Sequence, residues 1–103
     1  MTRNRLPDRR GGETRDLAYR GQAAQLTVGR YDDGRAAEVF VSFVGQFSTS
    51  DAAAAARDAA VLVSIALQHG VPVEVMRAAV TRLDGGEPAS ITGWLLDALC
   101  EEK

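Results

Sequence analysis

The stretch AAQLTVGRYDDGRAAEVFVSFV, residues 23–44, decides the fold because it contains two β-forming runs around a turn. In the first run apolar side chains alternate with polar or small ones, which predicts a strand with one apolar face. Gly34 can adopt the positive φ angle that a short hairpin loop requires. We therefore predict an antiparallel β-hairpin over residues 22–44.

The second run is apolar on both faces of the predicted strand. Val39, Val41 and Phe43 share one side, whereas Phe40 and Val44 lie on the other. A lone hairpin is only marginally stable in water. We therefore expect helices to cover one face of the hairpin and something else, such as a second chain, to cover the other.

Helices are predicted after the hairpin at about residues 50–69, 72–83 and 91–100. Ser50 is suited to cap the first helix, and Gly70 is suited to follow its last turn. Pro72 fits the start of the second helix, and Ser90 can cap the third. The first helix is apolar around most of its circumference, so we expect it to be buried on most sides.

These elements predict a single α+β domain over residues 21–103, with an antiparallel hairpin followed by two to three packed helices. The first helix has more apolar surface than the other elements can cover, and a twofold dimer is the commonest way to bury such a surface. We therefore expect a homodimer with an interface that includes Phe40, Val44, Ala55 and Ala59.

The first twenty residues differ from the rest of the chain in being polar, basic and glycine-containing. Five arginines lie in the first fifteen positions, namely Arg3, Arg5, Arg9, Arg10 and Arg15. Such segments are commonly solvated tails. Residues 1–20 are therefore predicted to form a partly disordered N-terminal arm, with residues 6–15 extended against the body of the protein or a partner chain.

Composition narrows the classes of function. The chain has 103 residues and a net charge of -2, which gives no general attraction to nucleic acid or to an anionic membrane. It contains neither an apolar run long enough to span a bilayer nor an apolar N-terminal segment of the secretory kind, so we expect a cytoplasmic protein. A single cysteine and a single histidine argue against a metal site, and no cofactor is expected.

His69 is the residue best suited to take part in catalysis or ligand binding. It lies in the corner Gln68-His69-Gly70-Val71-Pro72. A histidine in the last turn of a helix interacts favourably with the negative end of the helix dipole, so the pattern favours a structural role. The alternative is that His69 acts as a general acid or contacts an anion. No sequence motif supplies a nucleophile or carboxylate to face it, and we predict no catalytic residue.

A second candidate site is the start of the first helix. The free amide groups at Ser48, Thr49 and Ser50 could bind an anion, because the N-terminus of a helix favours negative charge. The basic arm could add Arg9 and Arg10, and His69 is a further candidate contact. This hypothesis predicts a binder of a nucleotide or another small anion.

Several segments, in this order and spacing, resemble the C-terminal TSCPD domain of cobalamin-dependent (class II) ribonucleotide reductases. They are LPDRR at 6–10, TVGRYDDGR at 27–35, EVF at 38–40, DA at 58–59 and SIALQHGVPVE at 64–74. The Thr-Ser-Cys-Pro-Asp motif that names the domain is absent from this chain, as are the length and the cysteines of the reductase. The resemblance implies an antiparallel hairpin with packed helices, and it transfers no catalytic residue.

Two functions remain open from the sequence. The resemblance implies a non-catalytic accessory or interaction module that associates with a reductase subunit or another protein of nucleotide metabolism. The alternative is the small-anion binder with its site at the arginine arm and residues 48–50.

Overall fold

The computed structural model describes residues 12–100 and contains a three-stranded antiparallel sheet followed by helices. The sheet has the order β1-β2-β3. The elements are β1 (Glu13–Tyr19), β2 (Gln22–Arg30), β3 (Ala36–Phe43), a 3-10 helix (Gly45–Thr49), α1 (Asp51–Gln68), α2 (Val73–Ala79) and α3 (Ile91–Cys100). The predicted α+β class, with an antiparallel hairpin followed by packed helices, is confirmed.

Strand β1 lies within the segment that the sequence analysis assigned to the N-terminal arm. It pairs with β2 along its whole length, and Arg15 stands opposite Leu26 on the inner face of the sheet. The turn between the strands consists of Arg20 and Gly21, which have φ angles of 49° and 82°, the signs that a two-residue type I′ hairpin requires. The sheet therefore has one strand more than predicted. Arg9, Arg10 and the rest of residues 1–11 lie outside the described residues.

The predicted hairpin is formed by β2 and β3. Gly34 has a φ of 95°, and its N–H donates to the carbonyl of Tyr31 at 2.9 Å. The N–H of Tyr31 in turn donates to the carbonyl of Arg35 at 2.9 Å. The register shifts between Gly29 and Arg30, where β2 meets the turn.

The core lies between the inner face of the sheet and the helices α1 and α3. Leu26, Val28, Leu95 and Leu96 are almost completely buried there. Helix α1 contacts the core through alanines, which allow its backbone to lie close to β3. Its other side is not covered by any element of residues 12–100.

This open side corrects the expectation that α1 is buried on most sides. Val61 and Leu62 are 56% and 66% exposed. The alanine run explains the difference, because Ala53 and Ala56 are buried whereas Ala54 and Ala55 face outward. One stripe of small side chains is sufficient to pack the helix on the sheet, so Val61 and Leu62 are left exposed by the elements of residues 12–100.

Both ends of α1 follow the sequence signals. The hydroxyl of Ser50 accepts the N–H of Ala53 at 3.1 Å and caps the first turn. At the other end, Gly70 donates to Leu67 O and Val71 donates to Ala66 O, both at 3.0 Å. This pair of bonds is the Schellman arrangement, which requires the positive φ of 92° at Gly70.

Helix α2 is shorter than the predicted residues 72–83. It ends at Ala79, and Val80 is already extended with a ψ of 161°. The following segment folds back on itself, because Ala89 N donates to Thr81 O at 3.0 Å and Leu83 N donates to Glu87 O at 2.8 Å. This folded segment uses backbone groups that a longer helix would have needed.

None of the helices in residues 12–100 combines the length and the apolar character needed to cross a membrane.

Candidate functional site

A cavity lies where the β2–β3 turn meets the corner between α1 and α2. It has a volume of about 380 Å³. The turn contributes Arg30, Gly34, Arg35 and Ala36, and the helical side contributes Leu67, Gly70, Val71, Pro72, Val73, Glu74 and Leu99. We call it the turn–corner cavity. The sequence segments TVGRYDDGR and ALQHGVP, which are far apart in the chain, form its two sides.

Arg30 and Arg35 carry the positive charge of the cavity. Arg30 donates to Gly34 O at 3.0 Å and lies 3.5 Å from a carboxylate oxygen of Glu13. The guanidinium of Arg35 stacks over the ring of Tyr31, with its central carbon 4.8 Å from the ring centre. Arg30 is therefore held by the turn and by β1, and Arg35 is held by the turn itself.

Asp33 fixes the direction of Arg35. Its carboxylate accepts the backbone N–H of Arg35 at 3.0 Å and the side-chain Nε at 2.8 Å. These bonds, the backbone one first, lower the pKa of Asp33 below its usual value. Within residues 12–100 the two terminal nitrogens of Arg35 make no hydrogen bond, so their N–H groups remain available to an acceptor.

The helical side of the cavity is apolar apart from one carboxylate. Leu67 and Leu99 are buried and belong to the core, whereas Val71 and Val73 are half-buried at the cavity wall. Glu74, in the first turn of α2, is the acidic residue of the lining. The cavity can therefore hold a molecule with an apolar body and polar groups at both ends.

His69 lies beside this cavity and does not line it. It forms the C-cap of α1, where its N–H donates to Ile65 O and Ala66 O at 3.1 Å. Its side chain is half-buried. The position at the carbonyl end of α1 is the one that the structural interpretation of His69 predicted.

Ser48, Thr49 and Ser50 lie at the opposite end of α1. Their hydroxyls donate to the carbonyls of Gly45, Gln46 and Phe47 at 2.7, 2.9 and 2.6 Å. A helix of 18 residues is about 27 Å long, so this end is far from His69 and the cavity. Of the candidate anion contacts, His69 and residues 48–50 are therefore not brought together, while Arg9 and Arg10 lie outside the described residues.

The predicted interface residues are divided between surface and core. Phe40, on the outer face of the sheet opposite Thr27, is 43% exposed, and Val44 is 64% exposed. Ala55 is exposed on the outer side of α1, while Ala59 is 8% exposed and packs in the core.

A separate ionic cluster connects α2, the folded segment after it and α3. Asp97 accepts hydrogen bonds from Arg82 at 2.8 and 2.9 Å and from Arg77 at 2.7 Å. The bonds from Arg82, followed by those from Arg77, lower the pKa of Asp97 to about 2. Each of these charged groups has a partner, so the cluster connects α2 and the segment after it to α3 and has a structural role.

Arg30, Arg35 and Glu74 were not predicted from the sequence as candidate site residues. The available signal was the arrangement RYDDGR, in which two arginines flank a hairpin turn and must therefore lie at the same end of the sheet. No group of three or more histidine, cysteine or acidic side chains within residues 12–100 is arranged to hold a metal ion.

Comparison with known proteins adds a family relationship. A family model described as the TSCPD domain matches residues 2–102. The chain is 35% identical over 82 residues to the vitamin B12-dependent ribonucleotide reductase of Bradyrhizobium diazoefficiens. This match covers 70% of this chain and 6% of that protein. It is 39% identical over 74 residues to the protein of the same name from Rhodopirellula baltica, covering 72% of this chain and 7% of that one.

A third relative of the same name, from Streptantibioticus cattleyicolor, is 36% identical over 91 residues. That match covers 87% of this chain and 14% of the relative. No solved structure matched the chain. The chain thus corresponds to a small part of each of these reductases.

Proposed function

The chain belongs to the TSCPD domain family, and from this membership we propose that it is a non-catalytic interaction module that associates with a ribonucleotide reductase. The observation that carries the proposal is the match of most of this chain to only 6% to 14% of each reductase compared. We expect the module to act in the cytoplasm, as part of nucleotide metabolism.

The residue content supports a non-catalytic role. Cys100 is the single cysteine, and thiol–disulfide exchange within one chain requires two cysteines. His69 is the single histidine, and it is the C-cap residue of α1, a position that favours a structural role. A reductase activity would therefore depend on groups outside these 103 residues.

The outer face of α1 supports an interaction role. Val61 and Leu62 are exposed next to one another, and Ala54 and Ala55 continue the apolar surface by two turns. Large apolar side chains grouped on a surface are typical of contacts with other proteins. Alanines add to this, because they allow a second backbone to approach closely.

We propose that this face of α1 also forms a homodimer. Arg57 and Asp58 are adjacent and exposed on the same helix, so the face carries opposite charges beside its apolar residues. A twofold contact places the same patch on both sides, and a patch with both charges can complement itself. Phe40 and Val44 were predicted from the sequence as part of the homodimer interface; because they lie on the outer face of the sheet and not on α1, we propose them instead for the contact with the reductase.

The association is tested by biolayer interferometry, with this protein immobilised and the purified vitamin B12-dependent ribonucleotide reductase of the same organism in solution. We expect a dissociation constant of about 1 μM or tighter, which corresponds to a binding free energy of about -8 kcal/mol. Phe40→Ser removes the exposed ring and is expected to weaken the binding at least about tenfold.

Thr27→Ser, on the strand position opposite Phe40, is the matched control for the outer face of the sheet and should leave binding unchanged. Reductase turnover is measured in parallel with and without the protein. An absence of binding at about 100 μM, a concentration far above specific affinities, together with unaltered turnover would overturn the proposal.

A further inference from the structure

We infer that the turn–corner cavity binds a small organic anion, with a phosphate or carboxylate group at Arg35 and an apolar body against the helical wall. This inference stands independently of the proposed association with a reductase. It concerns the opposite end of α1 from residues 48–50, which belong to the anion site predicted from the sequence.

The guanidinium of Arg35 is prepared for such a contact. Asp33 holds its Nε and Tyr31 holds its plane, so the side chain loses little further freedom when an anion binds. Its terminal nitrogens have no hydrogen-bond acceptor within residues 12–100, and they can form the paired bonds that a phosphate or carboxylate accepts. Arg30 adds a second guanidinium to the same lining, with its charge shared with Glu13 at 3.5 Å.

The remaining lining determines the shape of the ligand. Val71, Pro72 and Val73 present apolar surface, which suits a ring or a short alkyl group. A volume of about 380 Å³ lies at the lower end of the range for small-molecule sites, about 300 to 1,000 Å³. An inorganic ion would leave most of this space unfilled.

Glu74 adds a requirement at the other end of the ligand. Its carboxylate repels a second anionic group and accepts a hydrogen bond from a hydroxyl or amino group. The expected ligand is therefore an anion at one end, an apolar ring in the middle and a hydrogen-bond donor at the other end. Nucleoside monophosphates and hydroxylated aromatic carboxylates both have this chemistry.

Isothermal titration calorimetry with four probes distinguishes these two classes of ligand. The probes are adenosine 5′-monophosphate, adenosine, 4-hydroxyphenylacetate and inorganic phosphate. We expect either the nucleotide or the aromatic carboxylate to bind with a dissociation constant below about 1 mM. Adenosine lacks the anion and inorganic phosphate lacks the apolar body, so both should bind at least about tenfold more weakly.

Two arginine variants provide the matched comparison. Arg35→Gln should weaken binding of the best probe at least about tenfold, because it removes the charge and the paired donors. Arg20→Gln is the control, since Arg20 also stacks on a tyrosine, Tyr19, at 5.3 Å but lies at the other end of β2. Both arginines are at turns, so melting temperatures should remain close to that of the wild type.

Amide chemical shifts locate the bound probe. Saturable shifts at Gly34 and Gly70, on the two sides of the cavity, are expected with the wild-type protein. Two results would overturn the inference: no saturable shift with either organic anion at about 10 mM, well above the expected dissociation constant, or equal weakening by Arg35→Gln and Arg20→Gln. Shifts confined to residues 48–50 would overturn it as well.

Discussion

Ser64 Oγ accepts the backbone N–H of Val39 at 2.8 Å, so that a hydroxyl of α1 occupies the free edge of β3. One turn further along α1, Gln68 Nε2 donates to the carbonyl of Ala37 at 2.9 Å. Ser64 and Gln68 are the buried polar residues of the described chain. They join helix to strand and prevent a further strand from pairing there, which is a hazard for any exposed edge.

Ser64→Ala is expected to destabilise the protein by about 1 to 3 kcal/mol, because the buried N–H of Val39 loses its acceptor. The measurement is the free energy of unfolding in urea. Ser42→Ala, at an exposed position of the same strand, is the control and should change the free energy by no more than about 0.5 kcal/mol. Equal effects of the two substitutions would contradict the proposed role of Ser64.

Gly93→Ala tests the packing of α3 against the segment after α2. A Cβ at this position would lie 2.8 Å from Pro88 Cβ, a rigid neighbour. Overpacking costs about 1 to 3 kcal/mol, and the better helix propensity of alanine offsets up to about 1 kcal/mol of it. We expect net destabilisation by about 1 kcal/mol in thermal unfolding.

Gly85→Ala provides the comparison for Gly93, because its added Cβ would meet only the flexible carboxylate end of Glu87 at 2.9 Å. That side chain can move away, so the melting temperature should change little. If Gly93→Ala proved as stable as Gly85→Ala, the close packing of Pro88 on α3 would be refuted.

The ionic cluster at Asp97 predicts a pH dependence of stability. The pKa of Asp97 is lowered from 3.8 to about 2 in the folded protein, so the folded state favours the ionised carboxylate. Its contribution is complete above the unfolded value near 4 and is lost as the pH falls towards 2. Urea unfolding at pH 7, 4 and 2.5 should show this loss.

Asp97→Asn should cost about 1 kcal/mol at pH 7 and should flatten this part of the pH profile. Asp58→Asn, on the exposed face of α1, is the control and should keep the profile of the wild type. A wild-type slope between pH 4 and 2.5 that persists in Asp97→Asn would assign the dependence to other groups.

His69→Asn tests the structural interpretation of the only histidine. Asparagine tolerates a helix end, so the corner should be retained with a loss of at most about 1 kcal/mol from the dipole and packing contributions. Thermal unfolding measures the stability, and interferometry with the reductase measures the binding. Lost binding with unchanged stability would make His69 part of a functional site.

The proposed homodimer predicts a sensitive position on α1. Leu62→Glu places a charge in the apolar face of α1 and should convert a twofold dimer to monomers. Sedimentation velocity at about 50 μM protein measures this change. Leu83→Glu is the matched control, because Leu83 is 51% exposed in the segment between α2 and α3, away from α1. A wild-type monomer at that concentration would exclude the dimer.

The sequence by itself determined the elements whose signals are local. Gly34 set the β2–β3 turn, Ser50 and Gly70 set the ends of α1, and the alternation around Leu26 set the inner face of β2. Each signal depends on contacts within a few residues, such as a cap or a turn bond. The family relationship was also visible, because it rests on the order and spacing of residues.

Only the tertiary structure decided the features that depend on distant partners. Strand β1 escaped prediction because Arg15 interrupts its alternation, and Arg15 is accommodated inside by donating to the carbonyl of Ala98, 83 residues away. The turn–corner cavity likewise combines the turn at Arg35 with the corner at Pro72. Local propensity carries no information about such contacts, because their free energy exists only when the sheet and the helices are already packed.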